Sequence, residues 1–174
     1  YRCNGEEYVS APVRKDNELN NYILKNINEY ICEDMPYFRE IESNRYPKMK
    51  NLLRDKDILK NLSENELKEL ISLIHAFKDS ARYTQGGLKA LQNIFIEKNT
   101  IYKIKKSFDY LLFNEEEDYI SRITNLFFNP EYKLDEFGES CIKELYGWKN
   151  NTDTPIYNGR SYKSLRWLGF GEWR

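Results

Sequence analysis

Apolar residues recur three and four positions apart along most of this chain, the spacing that lines one face of an α-helix. Asp16 suits an N-cap, and Leu19, Ile23, Ile27, Tyr30 and Ile31 follow it at helical spacing. Pro36 suits the first turn of a helix carrying Phe38 and Ile41, and Pro47 that of a short one through Met49, Leu52 and Leu53. Ser63–Glu64–Asn65–Glu66 reads as a capping box, with Leu67, Leu70, Ile71, Ile74 and Phe77 as one apolar stripe behind it.

After Thr84–Gln85–Gly86–Gly87 the pattern resumes through Leu88, Leu91, Ile94 and Phe95. Over 101–113, Ile101, Ile104, Phe108, Leu111 and Leu112 point inward and Lys103, Lys105 and Lys106 face solvent. Asn114–Glu115–Glu116–Glu117 is the expected cap of a helix carrying Ile120, Ile123, Leu126 and Phe127, which Asn129–Pro130 ends. No segment of strand length alternates strongly, and no repeat period appears. The pattern predicts an all-α, compact multi-helix domain of about eight helices over 16–174, with 1–15 as a linker or extended lead-in.

Composition narrows the function classes. The 174 residues carry 40% hydrophobic positions, enough for a core, and a net charge of −1. That balance lacks the basic excess of strong, sequence-blind nucleic-acid binding and leaves room for a local basic patch. Cys3, Cys32 and Cys141 are odd in number and far apart, which favours reduced thiols and a cytoplasmic location over a disulfide framework. No apolar run reaches membrane-spanning length, and no cofactor motif is expected. Tyr1 in place of Met suggests a segment of a longer polypeptide.

Isolated motifs carry little chemistry. His75, the one histidine, sits between Ile74 and Phe77 without a Cys or His at ligand spacing, so a satisfied buried or boundary position is expected ahead of a catalytic base, and a zinc site is not. Glu66–Leu67–Lys68 matches the Glu–x–Lys fragment of restriction nucleases but falls inside a capped helix. Gly86–Gly87 lacks the Gly–Lys–Ser/Thr of a P-loop. Cys141 is near a predicted helix start, which would lower its pKa, yet no neighbour is placed to activate it, and core packing is the expectation.

The densest stretch runs over 134–170. Leu134–Ser140 reads as a tight turn into a helix over 140–146, in which Gly138 supplies a positive φ or a close backbone approach. The helix start offers unpaired N–H groups to a phosphate. Thr154–Pro155–Ile156–Tyr157–Asn158–Gly159–Arg160 then leads into a helix over 161–168. Arg160, Lys163 and Arg166 fall at i, i+3 and i+6 as one basic stripe, which Lys143 and Lys149 would extend. Trp148, Tyr157, Tyr162, Trp167, Phe170 and Trp173 would either stack on an unpaired base or fill the core.

This segment resembles the helix-hairpin-helix of base-excision DNA glycosylases, in which a glycine hairpin opens one helix and a Pro–apolar–x–Asp segment starts the next. It departs from them where their chemistry lies. Asn158 stands where the catalytic Asp would be, and Ser140 or Cys141 where lyase-active members place a Lys. An amide is no carboxylate base, and without an amine no Schiff base forms.

It is more similar to the accessory helical domains of bacterial restriction and phage-defence proteins linked to AAA-type ATPases. The residues that carry the likeness are Phe137–Gly138, Gly147–Trp148, Pro155–Ser161 and Leu168–Gly169–Phe170, with Arg122 and Asn129–Pro130 upstream also fitting. The resemblance implies a DNA-associated module without catalysis, with Gly138, Ser140, Lys143, Asn158, Arg160, Lys163 and Arg166 as the contact residues. Two other readings follow from the same stretch: an adaptor docking an ATPase or nuclease partner, and a divergent DNA glycosylase.

Overall fold

The computed structural model describes residues 21–25, 28, 39–150 and 161–164. The chain divides into two units, Tyr1–Pro36 with Asn158–Arg174, and Tyr37–Tyr157. Every described residue of the first unit is helical. The lead-in, the cap at Asp16 and the helix start at Pro36 lie outside the described residues.

The second unit is all-α, with no strand among its described residues. A π-helical stretch, Ile41–Arg45, runs into α1, Tyr46–Leu52, with Pro47 in its first turn. There follow α2 (Lys56–Asn61), α3 (Glu64–Leu73) and α4 (His75–Ser80), then a 3₁₀ turn, Ala81–Tyr83. The remainder is α5 (Gly87–Asn99), α6 (Ile101–Phe113), α7 (Tyr119–Phe128) and α8 (Glu139–Lys149).

Most boundaries follow local chemistry. The Ser63 capping box is complete: its side chain accepts from the Glu66 N–H while the Glu66 carboxylate accepts from the Ser63 N–H. Gly86 (φ 92°) and Gly87 (φ 67°) turn the chain into α5 through left-handed backbone. Thr100 joins α5 to α6 in a single residue at φ 58°, its hydroxyl accepting from the Lys103 N–H.

Three expectations are corrected. The stripe from Leu67 to Phe77 is not one helix: the chain goes extended at Ile74 (ψ 115°) and restarts as α4. The cap of α7 is Asp118, whose carboxylate accepts from the N–H groups of Ile120 and Ser121. Asn114 instead closes a local turn onto the Glu116 N–H. Gly138 has an ordinary φ of −78°, and a Cβ there would meet nothing within 4 Å. It supplies neither positive φ nor close approach.

Leu59, Leu67, Leu70, Ile71, Ile74, Phe77, Phe95, Ile104, Phe108 and Leu111 are fully buried. Phe137, outside any helix, inserts among three of these side chains, its ring centroid 5.3 Å from Phe108, 5.6 Å from Phe95 and 6.4 Å from Phe77. It is the plug that holds the chain just before α8. That last helix touches α1, α4, α6 and α7, which accounts for the burial of Cys141, Ile142, Leu145 and Tyr146.

Candidate nucleic-acid interface

The start of α8 is fixed from behind and open in front. Phe137 anchors one side, and the amide of Asn99 holds the approaching loop: Asn99 Oδ1 accepts from the Asp135 N–H at 2.7 Å, and Nδ2 donates to the Asp135 carbonyl at 3.0 Å. Glu136 takes the left-handed turn (φ 61°) that Gly138 was expected to make. Gly138 is the N-cap, extended, with no side chain bonded to the helix start, and Gly138, Glu139 and Ser140 are exposed. An uncapped helix start presents N–H donors and a partial positive charge.

The surrounding charges are mixed. Lys143, one turn into the helix, pairs with Glu139. Lys98 Nζ lies 2.6 Å from Glu136 Oε1, a bond that raises the lysine's pKa above its ordinary value. Beside the turn is an open groove of about 560 Å³, bounded by Phe127, Phe128, Lys133, Glu136 and Gly138 among others. It is as much apolar and acidic as basic.

The predicted contact residues divide accordingly. Gly138, Ser140 and Lys143 stand together at the start of α8. Lys163 is exposed on the short helical run 161–164. Asn158, Arg160 and Arg166 lie outside the described residues. Lys149 is held within its own unit: its Nζ donates to the Arg54 carbonyl at 3.0 Å and lies 4.8 Å from the Phe113 ring centre. Trp148 is half-buried, tilted against Tyr46, with its indole N–H 3.3 Å from Glu144 Oε1.

The motifs set aside in the sequence have structural roles. The Glu66 carboxylate is taken up by Ser63, and Lys68 pairs with Glu64. His75 is a boundary residue, its Nε2 3.5 Å from Asp79 Oδ2. Burial, with the Glu144 carboxylate adding to it, pushes the Cys141 thiol up to about 12, overturning the lowered value expected from its place near a helix start. Among the described residues no group of His, Cys, Asp and Glu is placed to hold a metal ion, and no helix is long and apolar enough to cross a membrane.

Glu144 escaped the sequence reading, and Arg122 entered it only as part of the resemblance. Glu144, buried inside α8, accepts from the backbone N–H groups of His75 (2.6 Å) and Ala76 (2.9 Å). Arg122 donates to the Leu111 carbonyl at 2.9 Å and the Tyr146 hydroxyl at 3.1 Å, its guanidinium over the Tyr146 ring. Nothing local signals either partner. No family model, curated protein or solved structure matches this chain.

Proposed function

We propose that this chain is a non-catalytic, DNA-associated helical module of a bacterial restriction or phage-defence protein. The two surfaces it offers to the DNA backbone, each taken by itself, are the start of α8 and the basic residues that follow Pro155. The observation that supports this reading is the open helix start: Gly138 and Ser140 are exposed, the N-cap glycine has no capping side chain, and a Cβ at Gly138 would meet nothing within 4 Å. Such a terminus receives a phosphate oxygen without rearrangement.

Asp135, Glu136 and Glu139 around the turn oppose a polyanion, so the helix start alone binds weakly. The affinity rests on Arg160, Lys163 and Arg166. A gel shift with single-stranded, duplex and base-modified DNA tests this. Alanine at all three cations together is expected to abolish a shift that the unmodified chain gives at low salt. A shift that survives the triple replacement removes the site assignment.

A second reading, an adaptor docking an ATPase or nuclease partner, is favoured by the exposure of two large apolar side chains, Ile120 at 66% and Phe128 at 78%. It requires no DNA shift at low salt and a direct complex with a purified partner from a neighbouring gene.

A further inference from the structure

Among the described residues, two other than glycine have positive φ: Thr100 at 58° and Glu136 at 61°. Thr100, with ψ 148°, lies in a region nearly closed to any residue that carries a Cβ, and it is β-branched as well. Both residues are exposed, so core packing does not force them there. Such backbone persists only where the surroundings hold it.

One set of bonds holds both. Lys98 and Asn99, the two residues before Thr100, bind Asp135 and Glu136. Asn99 Oδ1 accepts from the Asp135 N–H at 2.7 Å, and Nδ2 donates to the Asp135 carbonyl at 3.0 Å. Lys98 Nζ donates to Glu136 Oε1 at 2.6 Å. The peptide joining Asn99 to Thr100 is thereby fixed from the Asn99 side chain on one side. On the other, the Thr100 N–H donates to the Ile96 carbonyl at 3.0 Å. Leu134 and Phe137 are seated in the core at 5% and 4% exposure. Between these two anchors, Asp135 and Glu136 are exposed and can move without uncovering apolar surface.

We propose that Thr100 and Glu136 form a strained clasp whose opening moves the Asp135–Glu136 wall of the groove beside the start of α8. In the closed state the bonds from Lys98 and Asn99 keep both residues in their strained conformations. When those bonds break, Glu136 and Thr100 relax to ordinary backbone, and the strain released offsets part of the bonding lost. Strain of the usual size at one residue raises the open population by roughly five- to a hundredfold. Asp135 and Glu136 both line the groove of about 560 Å³, so the two states of the clasp are two shapes of that groove. The inference depends on neither functional reading above.

Comparing glycine with alanine at each position tests it, because the Cβ carries the strain and glycine has none. Where the backbone is ordinary, glycine is the less stabilising of the two. Here the order is expected to reverse: Thr100→Gly and Glu136→Gly each melt at a higher temperature than Thr100→Ala and Glu136→Ala. Each glycine variant is also expected to slow native-state exchange of the Asp135 amide hydrogen by roughly fivefold or more against its alanine counterpart. In an Asn99→Leu background, which lacks the clasp, the preference for glycine at 100 is expected to fall by roughly half or more. The exchange comparison keeps Asn99 and stands whether or not the Asn99→Leu chain folds. Glycine no better than alanine at either position, equal Asp135 exchange within a pair, or a glycine preference undiminished by Asn99→Leu each overturn the proposal.

Discussion

The carboxylate of Glu144 caps a helix that begins 69 residues earlier, accepting from the His75 N–H at 2.6 Å and the Ala76 N–H at 2.9 Å. The N-cap position of α4 is Ile74, whose side chain has no acceptor, so the orphan donors of that helix are met from α8. Glu144 thereby ties the helix that carries the candidate site to the break in the Leu67–Phe77 stripe. Replacing it with alanine leaves these donors without a partner in a region only 7% exposed at Glu144. The expected loss is about 2–3 kcal/mol in urea unfolding, with Glu144→Gln losing less because its amide oxygen still accepts. An alanine variant as stable as the parent would contradict the cap.

Asn99 does for the approach to α8 what Glu144 does for α4. Its amide satisfies both backbone groups of Asp135 and also donates to the Phe95 carbonyl at 2.8 Å. Asn99→Asp turns the donating nitrogen into an acceptor aimed at two carbonyl oxygens. It is expected to cost about 2–3 kcal/mol, and at least as much as Asn99→Leu, which removes the polar atoms altogether. Chemical unfolding of the two variants decides the order.

The glycines separate by backbone and not by motif. Gly86 sits at φ 92°, and an added Cβ would come within 2.9 Å of the Ala90 Cβ. Gly86→Ala is expected to destabilise by about 1–3 kcal/mol. Gly138, at φ −78° with open space around an added Cβ, is expected to lose only about 0.5–1 kcal/mol as alanine, the preference of an N-cap for glycine. The reverse order in thermal unfolding would contradict the turn geometry described for 134–138.

Cys141 gives a pH signature. Its thiol titrates near 12 in the fold, against about 8.5 for an unperturbed cysteine. The folded chain therefore holds this proton where the unfolded chain has released it. The neutral thiol's contribution is complete below the unfolded value and is lost as pH rises toward the folded one. In a Cys3→Ser, Cys32→Ser background, alkylation of Cys141 at pH 9 is expected to be slow in the native protein and fast in urea. Equal rates would place the thiol in solvent.

What could be read from the sequence follows how local each signal is. The Ser63–Glu66 capping box needs four consecutive residues and formed as expected. The apolar face of α6 follows from periodicity, but on α7 only Ile123 and Leu126 of the expected stripe are buried, and Ile120 is 66% exposed. Asp118 took the cap expected of Asn114–Glu117 because several acceptors precede Ile120 within one turn, and the pattern does not rank them. The break at Ile74 was hidden since the apolar spacing continues through it, and its cap comes from Glu144. At the candidate site, the turn expected of Gly138 is made by Glu136 and held by Asn99 and Phe137. Those are long-range partnerships, invisible to spacing.

DNA association through a few backbone contacts makes one quantity decisive: the slope of log affinity against log salt concentration. Each phosphate neutralised on duplex DNA contributes about 0.9 to that slope. Fluorescence anisotropy with a labelled duplex is expected to give a negative slope for the unmodified chain. The slope is expected to be shallower by roughly 2–3 for the variant with alanine at Arg160, Lys163 and Arg166, at weakened affinity. A slope unchanged by the triple replacement, or no binding by the unmodified chain at low salt, would contradict a DNA-contacting role for these residues.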